Sequence, residues 1–452
     1  MKILLLNPNP VHLVNRLGKI YNRVWPPLEL ANCAALLEAE GHDVAIIDAN
    51  ALKMRMDDLI PRLAGFDKVF VSSSSLDRWQ CPALDIEPFI HTARMVRSLT
   101  DEVFVLGVHG TLKPEEFLRL TGARAVVRGE PELTVSEICQ GKPLRDIEGL
   151  AITDNGKTVM TPDRRPLDLD LLPKPAFHLL PMDKYFYEVL GPRFTLFEGS
   201  RGCASHCTFC LLKMYGQGIR RKSVAKLIEE VDDAIARFGL KTAYFIDLEF
   251  TVFPKQVMEL CDHLIKKRHD FRWTCQTRFD LVDEPLLHKM RQAGCRLIHF
   301  GVEGGTDRLL DTVQKKITIR EIKENIRLVR RAGIDTACFF MLGFPDADER
   351  EMDATIRLAR QLNPTYALFH IVTPYPGTPL HEEMLSRDPE AFGGAMFPEA
   401  CLRGENLTRL KKTIGRAYLR YYLRPRYLAE RLSKGDFRAL SGQVKLFLGY
   451  LS

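Results

Sequence analysis

The sequence predicts an α/β protein in which a doubly wound parallel sheet is followed by a partial barrel of six strand–helix units and a small helical C-terminal region. Three observations predict this fold class. Short β-rich runs alternate with helical patterns up to about residue 143, a Pro- and Asp-rich stretch covers 144–192, and the alternation then returns six times. Alternating strands and helices favour parallel sheets covered by helices. The 452 residues are enough for two or three domains with full cores.

The composition is that of an ordinary globular protein, with 46% hydrophobic and 27% charged residues. No apolar run reaches the roughly 18 residues that a membrane-spanning helix needs. The N-terminal MKILLLNPNP lacks the long apolar core and small-residue cleavage site of a signal peptide. Most of the eleven cysteines stand alone in apolar runs, which fits a reducing compartment better than a disulfide framework. We therefore expect a cytoplasmic protein.

The N-terminal domain, 1–143, contains five predicted strands: ILLLN, DVAIIDA, KVFVSSSS, VFVLGVHG and ARAVVRGE. Helical patterns such as LELANCAALLEAEG and PEEFLRL lie between them. Ligands of doubly wound sheets bind at the carboxyl ends of the strands. Several of those ends are small or Gly-rich here, which lets a large flat ligand approach the backbone. The candidate loops are 7–10, 72–75, 107–111 and the turn at Gly129.

The stretch 144–192 predicts a linker with one short hairpin, whose turn is Asp154-Asn155-Gly156. Beyond it, 193–385 contains six predicted strands: FTLFE, TAYFI, FRWTCQT, RLIHFG, TACFFMLG and YALFHIV. The helix after the first strand has Ser223 as its predicted N-cap and Gly239 as its stop. Six such units predict an open, partial barrel whose chemistry lies at the carboxyl ends of the strands.

The C-terminal region, 386–452, is predicted to be helical and basic. From Cys401 onward, twelve Lys and Arg stand against three acidic residues, although the net charge of the whole chain is only +6. Two interpretations are open. In one, an amphipathic helix packs on the body through Leu407, Leu410, Ile414 and Tyr418 while its basic face is solvated. In the other, the basic surface contacts a membrane or an acidic substrate.

Three cysteines stand close together directly after the first predicted barrel strand: Cys203, Cys207 and Cys210. Three thiolates on one loop can converge on a single metal centre. An iron–sulfur cluster held by three cysteines keeps one iron open for a substrate or cofactor. The alternative is a zinc site with His206 as the fourth ligand, although His206 adjoins Cys207 and simultaneous ligation would be strained.

The spacing Cys203-x3-Cys207-x2-Cys210, with Phe209 before the last cysteine, resembles the signature of the radical S-adenosylmethionine (SAM) superfamily. The resemblance implies a [4Fe-4S] cluster whose open iron binds SAM through its amino and carboxylate groups. It further implies reductive cleavage of SAM to methionine and a 5'-deoxyadenosyl radical. The electron would come from an external one-electron donor such as flavodoxin or ferredoxin.

The same resemblance implies SAM-binding residues at the ends of later strands. Asp247 and Glu249 are similar in position to groups that bind the methionine ammonium, although solvated loop acids are the alternative. Glu303, in Gly-Val-Glu-Gly-Gly, resembles the residue that contacts the ribose. The remaining candidates are the cluster-side Phe209, the adenine-side Gly343 and Phe344, and Gln276 and Arg278 near the carboxylate or sulfonium. A structural salt bridge is the alternative for Arg278.

The whole order of the chain resembles the cobalamin-binding subfamily of these enzymes, with a Rossmann-like domain, a Pro-rich connector and then the cysteine motif. Cobalamin would lie at the carboxyl ends of the first sheet, and its candidate contacts are Asn7, Pro8, Ser73, Ser74, Gly107, Val108, His109, Gly110, Gly129 and Glu130. The motif D-x-H-x-x-G is absent, because Gly107 and Leu112 occupy the flanking positions around His109. We therefore expect cobalamin without a protein histidine on cobalt, and an isolated His109 is more typical of packing.

The resemblance implies methylation of an unactivated carbon, or of phosphorus, with one SAM methylating cobalt and another generating the radical. The alternatives are ring contraction, cyclisation or rearrangement without methyl transfer, and a sensing protein without catalysis. We expect a small-molecule or lipid-like substrate and no nucleic acid. No acid or base is assigned, because His299 and His370 on predicted strands suit either the barrel lumen or the core. Three further cysteines are expected to be core residues: Cys275, Cys295 and Cys338.

Overall fold

The computed structural model describes residues 1–10, 24–216 and 218–433. The chain forms two compact units. The first comprises Met1–Tyr187, Gly191–Gly202 and Leu211–Lys241, and the second comprises Glu188–Leu190, Cys203–Cys210 and the residues from Thr242 onward. The predicted linker and the first predicted barrel strand therefore belong mainly to the first unit.

The first unit contains a seven-stranded sheet in the order β2-β1-β3-β4-β5-β6-β7. Its strands are β1 Lys2–Asn7, β2 Asp43–Asp48, β3 Lys68–Ser72, β4 Val103–Leu106, β5 Ala125–Val127, β6 Leu150–Asp154 and β7 Lys157–Met160. The first five are parallel, and the last two add antiparallel. The hairpin predicted at Asp154-Asn155-Gly156 is present as β6 and β7, and it extends the sheet. Its turn uses positive φ angles at Asn155 and Gly156.

Helices separate the parallel strands, as the sequence predicted. They are α1 Leu28–Ala39, α2 Met56–Leu59, α3 Glu87–Arg97, α4 Val108–Leu112, α5 Pro114–Thr121 and α6 Glu132–Cys139. The strands at the centre of the sheet are apolar on both faces, and Leu4, Leu5 and Phe70 are fully buried. This pattern is typical of a parallel sheet with helices on both sides. The doubly wound sheet is confirmed.

The rest of the first unit leads to the cysteine loop. It contains β8 Phe186–Tyr187, β9 Gly191–Pro192, β10 Phe194–Phe197, β11 Ser200–Gly202, β12 Ile219–Arg221 and α7 Val224–Phe238. β11 and β12 form an antiparallel pair. The predicted helix signals are confirmed, because the Ser223 side chain accepts from the Lys226 N–H and Gly239 ends α7 with a φ of 59°.

The second unit contains five parallel strands that neighbour one another in chain order: β13 Thr242–Phe245, β14 Arg272–Thr277, β15 Cys295–Glu303, β16 Asp335–Leu342 and β17 Tyr366–Ile371. With β10, all six predicted strands are present. The helices are α8 Pro254–Lys267, α9 Glu284–Gln292, α10 Asp307–Thr312, α11 Ile319–Arg331, α12 Glu349–Leu362, α13 Pro379–Arg387, α14 Gly404–Tyr422 and α15 Pro425–Ser433. The predicted alternation is confirmed.

The two faces of this second sheet differ in burial. One face carries fully buried side chains such as Cys275, Ile298 and Cys338. The opposite face carries Gln276, Phe339 and other side chains that are only partly buried. The buried face is the helix-covered outside of a partial barrel, and the other face lines its lumen. The predicted core role of Cys275, Cys295 and Cys338 is confirmed.

The C-terminal helix α14 packs on the second unit. Leu410 and Ile414 are buried, and the Tyr418 hydroxyl lies 3.1 Å from the backbone N–H of Phe369, which donates to it. The amphipathic packing that the sequence offered as one interpretation is therefore present. Part of the basic region, 434–452, lies outside the described residues. Within the described ranges, no helix combines the length and apolarity that crossing a bilayer requires.

Candidate active site

The cysteine loop runs from Cys203 to Cys210 without regular secondary structure. Backbone hydrogen bonds anchor its second half, because the Thr208 N–H donates to the Val313 carbonyl (3.1 Å) and the Thr208 carbonyl accepts from the Leu380 N–H (2.9 Å). All three cysteines are half-buried thiols. His206 is exposed on the same loop. Within residues 1–10, 24–216 and 218–433, no three His, Cys, Asp or Glu side chains are gathered as a ready metal site. Three thiols on one anchored loop nevertheless have the chemistry of a donor set for a cluster that keeps one iron open.

The surroundings of these thiols favour the protonated form. Burial, followed by the negative charge of Glu249, raises the pKa of Cys203 to about 11. Burial also raises the pKa of Cys207, while the positive charge of Lys315 opposes that rise. A metal centre must therefore displace protons from these thiols when it binds.

A hydrogen-bonded chain links the cysteine loop to the ends of β13 and β14. The Ser205 hydroxyl donates to Glu249 Oε1 (2.8 Å) and accepts from Arg278 Nη1 (3.1 Å). Arg278 also makes a bidentate pair with Asp280, at 2.9 Å and 2.8 Å. The structure thus brings together Glu249, Arg278 and Cys203, which the sequence placed on three separate segments. The salt bridge offered as an alternative for Arg278 is present, and its partner Asp280 was missed although it stands two residues away.

Glu303 pairs with a lysine that sequence reasoning missed. Lys315 Nζ lies 2.9 Å from Glu303 Oε1, and both side chains are buried. Glu303 adopts a φ of 64°, which is unusual for a residue other than glycine. Lys315 stands twelve residues later, in the turn between α10 and α11, so no local pattern announces the pair. The carboxylate is therefore held in one orientation by a buried cation.

Phe209 and Phe344, which the sequence named as separate SAM-binding candidates, lie in contact. Their ring centroids are 5.8 Å apart in an edge-to-face arrangement, beside an apolar cluster that includes Val313 and Leu380. Gly343 has a φ of 92°, and a Cβ atom there would lie 2.5 Å from Leu410 Cδ2. A close approach to this glycine was predicted for adenine, whereas the neighbour that the structure shows is Leu410 on α14.

The lumen face of the second sheet carries a row of aromatic and polar side chains. The Tyr244 hydroxyl donates to Gln276 Oε1 (3.0 Å), and the Tyr244 ring lies 5.1 Å from that of His299. Phe339 follows at 5.7 Å from His299, and His370 follows at 5.6 Å from Phe339. Both histidines therefore face the lumen, which the sequence left open. Asp247, another predicted contact, is buried at the end of β13.

The candidate cobalamin loops of the first unit meet at Gly107, which has a φ of 108°. A Cβ atom there would lie 2.7 Å from Ser73 Oγ and 2.9 Å from Ser74 Oγ. Ser74 Oγ accepts from the Val108 N–H (2.9 Å), and the Gly129 N–H donates to the Thr111 hydroxyl (2.9 Å). Ser73 Oγ is buried and has no hydrogen-bond partner among the described residues. A glycine cradle with an orphaned hydroxyl fits a cofactor that is held by shape and hydrogen bonds.

Gly110, another candidate in this region, faces the sheet. A Cβ atom at Gly110 would lie 2.6 Å from Val126 Cγ1. The buried Asn7 side chain donates to Asp48 Oδ1 (2.9 Å), and Asp48 Oδ2 accepts from the Tyr185 hydroxyl (2.7 Å). The structure thus gives both residues contacts within the first unit.

His109 is a packed core residue in this structure. It is 0% exposed, and its ring lies between Phe89 (5.5 Å) and Phe117 (6.0 Å). Its Nε2–H donates to the Ala83 carbonyl at 2.7 Å. Burial lowers the pKa of His109 to about 4, so the imidazole is neutral. The packing role that the sequence favoured fits these contacts.

Glu130 belongs to a buried ion cluster that the sequence did not predict. Arg201 is 0% exposed and reaches three carboxylates: Glu132 (2.6 Å), Glu198 (2.7 Å) and Glu130 (3.2 Å). Glu130 also pairs with Arg220, which faces Arg201 across the β11–β12 pair. The structure therefore shows Glu130 in an ion cluster, whereas the sequence assigned it to cobalamin.

Two family models match this chain. A family model described as the radical SAM superfamily matches residues 197–359, and one described as a B12 binding domain matches residues 19–139. The chain is 32% identical over 443 residues to an uncharacterised methyltransferase of Pyrococcus horikoshii, with coverage of 95% of this chain and 94% of the relative. It is 29% identical over 472 residues to the anaerobic magnesium-protoporphyrin IX monomethyl ester cyclase of Rubrivivax gelatinosus, with coverage of 99% and 82%.

Two solved structures share the fold. The radical SAM methyltransferase TsrM from Kitasatospora setae, with cobalamin and a [4Fe-4S] cluster bound, aligns with a TM-score of 0.70 at 20% identity, covering 85% of this chain and 78% of that one. The cobalamin-dependent radical enzyme OxsB, with aqua-cobalamin and SAM bound, aligns with a TM-score of 0.74 at 16% identity, covering 98% and 72%. The chain therefore shares the fold of these two proteins.

Proposed function

Because this chain belongs to the radical SAM enzymes that carry a cobalamin-binding domain, we propose that it methylates an unactivated carbon, or phosphorus, of a biosynthetic intermediate. Two molecules of SAM are used, one as methyl donor and one as radical source. The single observation that carries the proposal is the cysteine loop, which Ser205 connects to Glu249 and Arg278.

Different residues of the second unit are proposed to bind the cluster and the separate parts of SAM. Cys203, Cys207 and Cys210 would hold the cluster, which when loaded and reduced supplies the electron that cleaves SAM. Glu249 presents a carboxylate beside the loop and suits a substrate ammonium. Lys315 fixes the Glu303 carboxylate, which suits a ribose hydroxyl. Phe209 and Phe344 form an apolar wall next to this edge and suit the adenosine part.

The first unit would hold cobalamin without a protein ligand to cobalt. The observation that supports this proposal is the packing of His109 between two phenylalanine rings, with its Nε2–H committed to Ala83. Gly107, Ser73 and Ser74 supply the cradle. The predicted roles of Asn7, Pro8, Val108, Gly110 and Gly129 remain part of this proposal.

The names of the relatives favour methyl transfer, and one of them supports a second candidate function. The Pyrococcus horikoshii relative is named a methyltransferase, and a cytidylyl-2-hydroxyethylphosphonate methyltransferase of Streptomyces wedmorensis is 27% identical over 459 residues, covering 86% of this chain and 83% of the relative. The Rubrivivax gelatinosus relative is named a cyclase, so cyclisation with the same two cofactors is the second candidate. A flavodoxin or ferredoxin would supply the electron. We expect a small or lipid-like substrate and a cytoplasmic location, and contact of the basic C-terminal region with a membrane or an acidic substrate stays the second interpretation of that region.

Product analysis tests the proposal. The protein is reconstituted without oxygen, loaded with cobalamin, reduced, and given SAM and a candidate intermediate. We expect S-adenosylhomocysteine and 5'-deoxyadenosine to form together with methylated product. Product with deoxyadenosine but without S-adenosylhomocysteine would establish the cyclisation candidate instead. A reduced, cluster-loaded protein that never cleaves SAM would overturn both enzymatic proposals.

A further inference from the structure

Glu29 lies on α1 of the first unit, and its carboxyl group is completely buried. It contacts both ends of the loop that follows β3. The Leu76 N–H donates to Glu29 Oε2 at 2.8 Å, and Ser72 Oγ lies 3.3 Å from Glu29 Oε1. The carboxyl group therefore spans the segment 72–76, which contains the candidate cobalamin residues Ser73 and Ser74.

The contacts of Ser72 favour a neutral Glu29 over an ionised one. The Ser72 hydroxyl has one hydrogen, and it can be donated to the Ser74 carbonyl at 3.0 Å. The Ser74 N–H donates back to Ser72 Oγ at 3.3 Å. The same hydrogen can be donated to Glu29 Oε1 instead, and the Ser74 carbonyl then loses it. A neutral carboxylic acid can donate to Ser72 Oγ and satisfies all of these contacts at once, whereas a carboxylate competes with the Ser74 carbonyl for the one Ser72 hydrogen.

The electrostatic surroundings point the same way. The titratable groups that bear on Glu29 include Asp77 from the loop, Cys33 from α1 and Tyr185 from the segment before β8. Two described cations of this neighbourhood pair with other carboxylates, Arg78 with Asp77 and Arg201 with Glu132, Glu198 and Glu130. Burial, together with the negative charge of Asp77, raises the pKa of Glu29 to about 8. Among the residues that the structure describes, Glu29 forms no ion pair, so an ionised carboxylate in this position would be a buried charge without a described counterion.

The loop that Glu29 holds lies directly against the glycine cradle. The Ser73 N–H donates to the Leu106 carbonyl at 2.8 Å, and both serine hydroxyls stand where a side chain at Gly107 would be. The position of the loop thus decides the shape of the surface that takes the cofactor. We propose that Glu29 is a positioning residue for cobalamin, whose neutral carboxylic acid holds 72–76 against Gly107, and whose ionisation loosens this loop and weakens cofactor binding. This proposal rests on the proposed cobalamin site.

Binding of methylcobalamin to the intact chain tests the proposal, because the methyl ligand on cobalt does not exchange protons. The dissociation constant is measured from about pH 6.5 to about pH 9.5. For the natural chain we expect a constant value up to about pH 8 and then a rise approaching tenfold per pH unit. In Glu29→Gln, which keeps a neutral donor, we expect no rise. Glu38→Gln is the control on the same helix, since Glu38 is half-exposed and pairs with His178 near the surface, and it should follow the natural chain.

Trp79 provides a second measurement that needs no cofactor. It follows the loop directly and is buried, and Trp25→Phe with Trp273→Phe leaves it as the one tryptophan of the chain. We expect its emission to titrate near pH 8, and the titration to vanish in Glu29→Gln. A natural chain that binds methylcobalamin equally at all these pH values, or a Glu29→Gln variant with the same pH dependence, would overturn the role of Glu29. A natural chain that binds no methylcobalamin at any pH would instead overturn the proposed cobalamin site.

Discussion

The carboxyl ends of the two sheets use different chemistry. The end of the second sheet is crowded with reactive or charged groups, among them the cysteine thiols, Glu249, Arg278 and the Glu303–Lys315 pair. The end of the first sheet is built from Gly107, small hydroxyl side chains and two buried groups that are neutral near pH 7, Glu29 and His109. One end thus offers ligands and charges, and the other offers shape. The former suits the proposed cluster with SAM, and the latter suits the proposed cobalamin without a protein ligand.

The largest effect should come from the thiols of the second unit. Cys207→Ala leaves two ligands for the cluster, so we expect reductive SAM cleavage to fall by about a thousandfold or more. Deoxyadenosine release and bound iron measure it. Cys81→Ser is the control, because Cys81 is exposed and lies in the first unit. Equal iron content in Cys207→Ala and the natural chain would show that this cysteine is not a ligand.

The next prediction tests whether the Glu303–Lys315 ion pair at the carboxyl end of the second sheet is needed for stability. Lys315→Met leaves Glu303 buried without its cation, and we expect the free energy of unfolding to fall by about 3–5 kcal/mol. Adding Glu303→Leu removes the unpaired charge and should restore most of that loss. Urea unfolding measures both variants. Arg320→Met, at an exposed pair with Glu324, should leave the midpoint unchanged. If the double variant were as unstable as Lys315→Met, the unpaired charge of Glu303 would not be the cause of the lost stability.

At the carboxyl end of the first sheet, one added methyl group at Gly107 should weaken cobalamin binding. Gly107→Ala combines a strained backbone with a contact at 2.7 Å, so we expect cobalamin affinity to fall about ten- to a hundredfold, with the cluster unaffected. Gly141→Ala is a matched control, because Gly141 also has a positive φ (79°) but a Cβ there meets nothing within 4 Å. Equal cobalamin binding in the two variants would show that the cradle does not shape the site.

The same contrast explains what the sequence could predict. The three candidate cysteines lie within eight residues, and their spacing alone predicts a cluster site. The alternation of strands and helices likewise predicts both sheets, since period and order are local properties. Contacts between distant segments carry no such signal. Lys315 beside Glu303, Leu410 against Gly343 and Glu29 under the serine loop each depend on packing between elements far apart in the chain.

The smallest effect on cofactor binding is expected at His109. A variant of this residue tests whether the first unit binds cobalamin without a protein ligand to cobalt. His109→Gln keeps an N–H that can reach the Ala83 carbonyl but loses the ring between Phe89 and Phe117. We expect cobalamin stoichiometry to be unchanged and the cob(II)alamin EPR spectrum to lack nitrogen hyperfine splitting in both proteins. Nitrogen splitting in the natural chain that disappears in His109→Gln would show a histidine ligand on cobalt.

The free energy of unfolding at acid pH provides a second test of whether His109 is a packed core residue. The folded-state pKa of His109 is about 4, below its ordinary value of 6.5, so the fold favours the neutral ring. The stability that this ring contributes is complete above about pH 6.5 and is lost as the pH falls through 4, by about 3 kcal/mol in all. His109→Gln cannot be protonated and should lose less stability over this interval. Parallel acid unfolding curves for the two proteins would contradict the assignment of His109 as a buried, neutral ring between two phenylalanine rings.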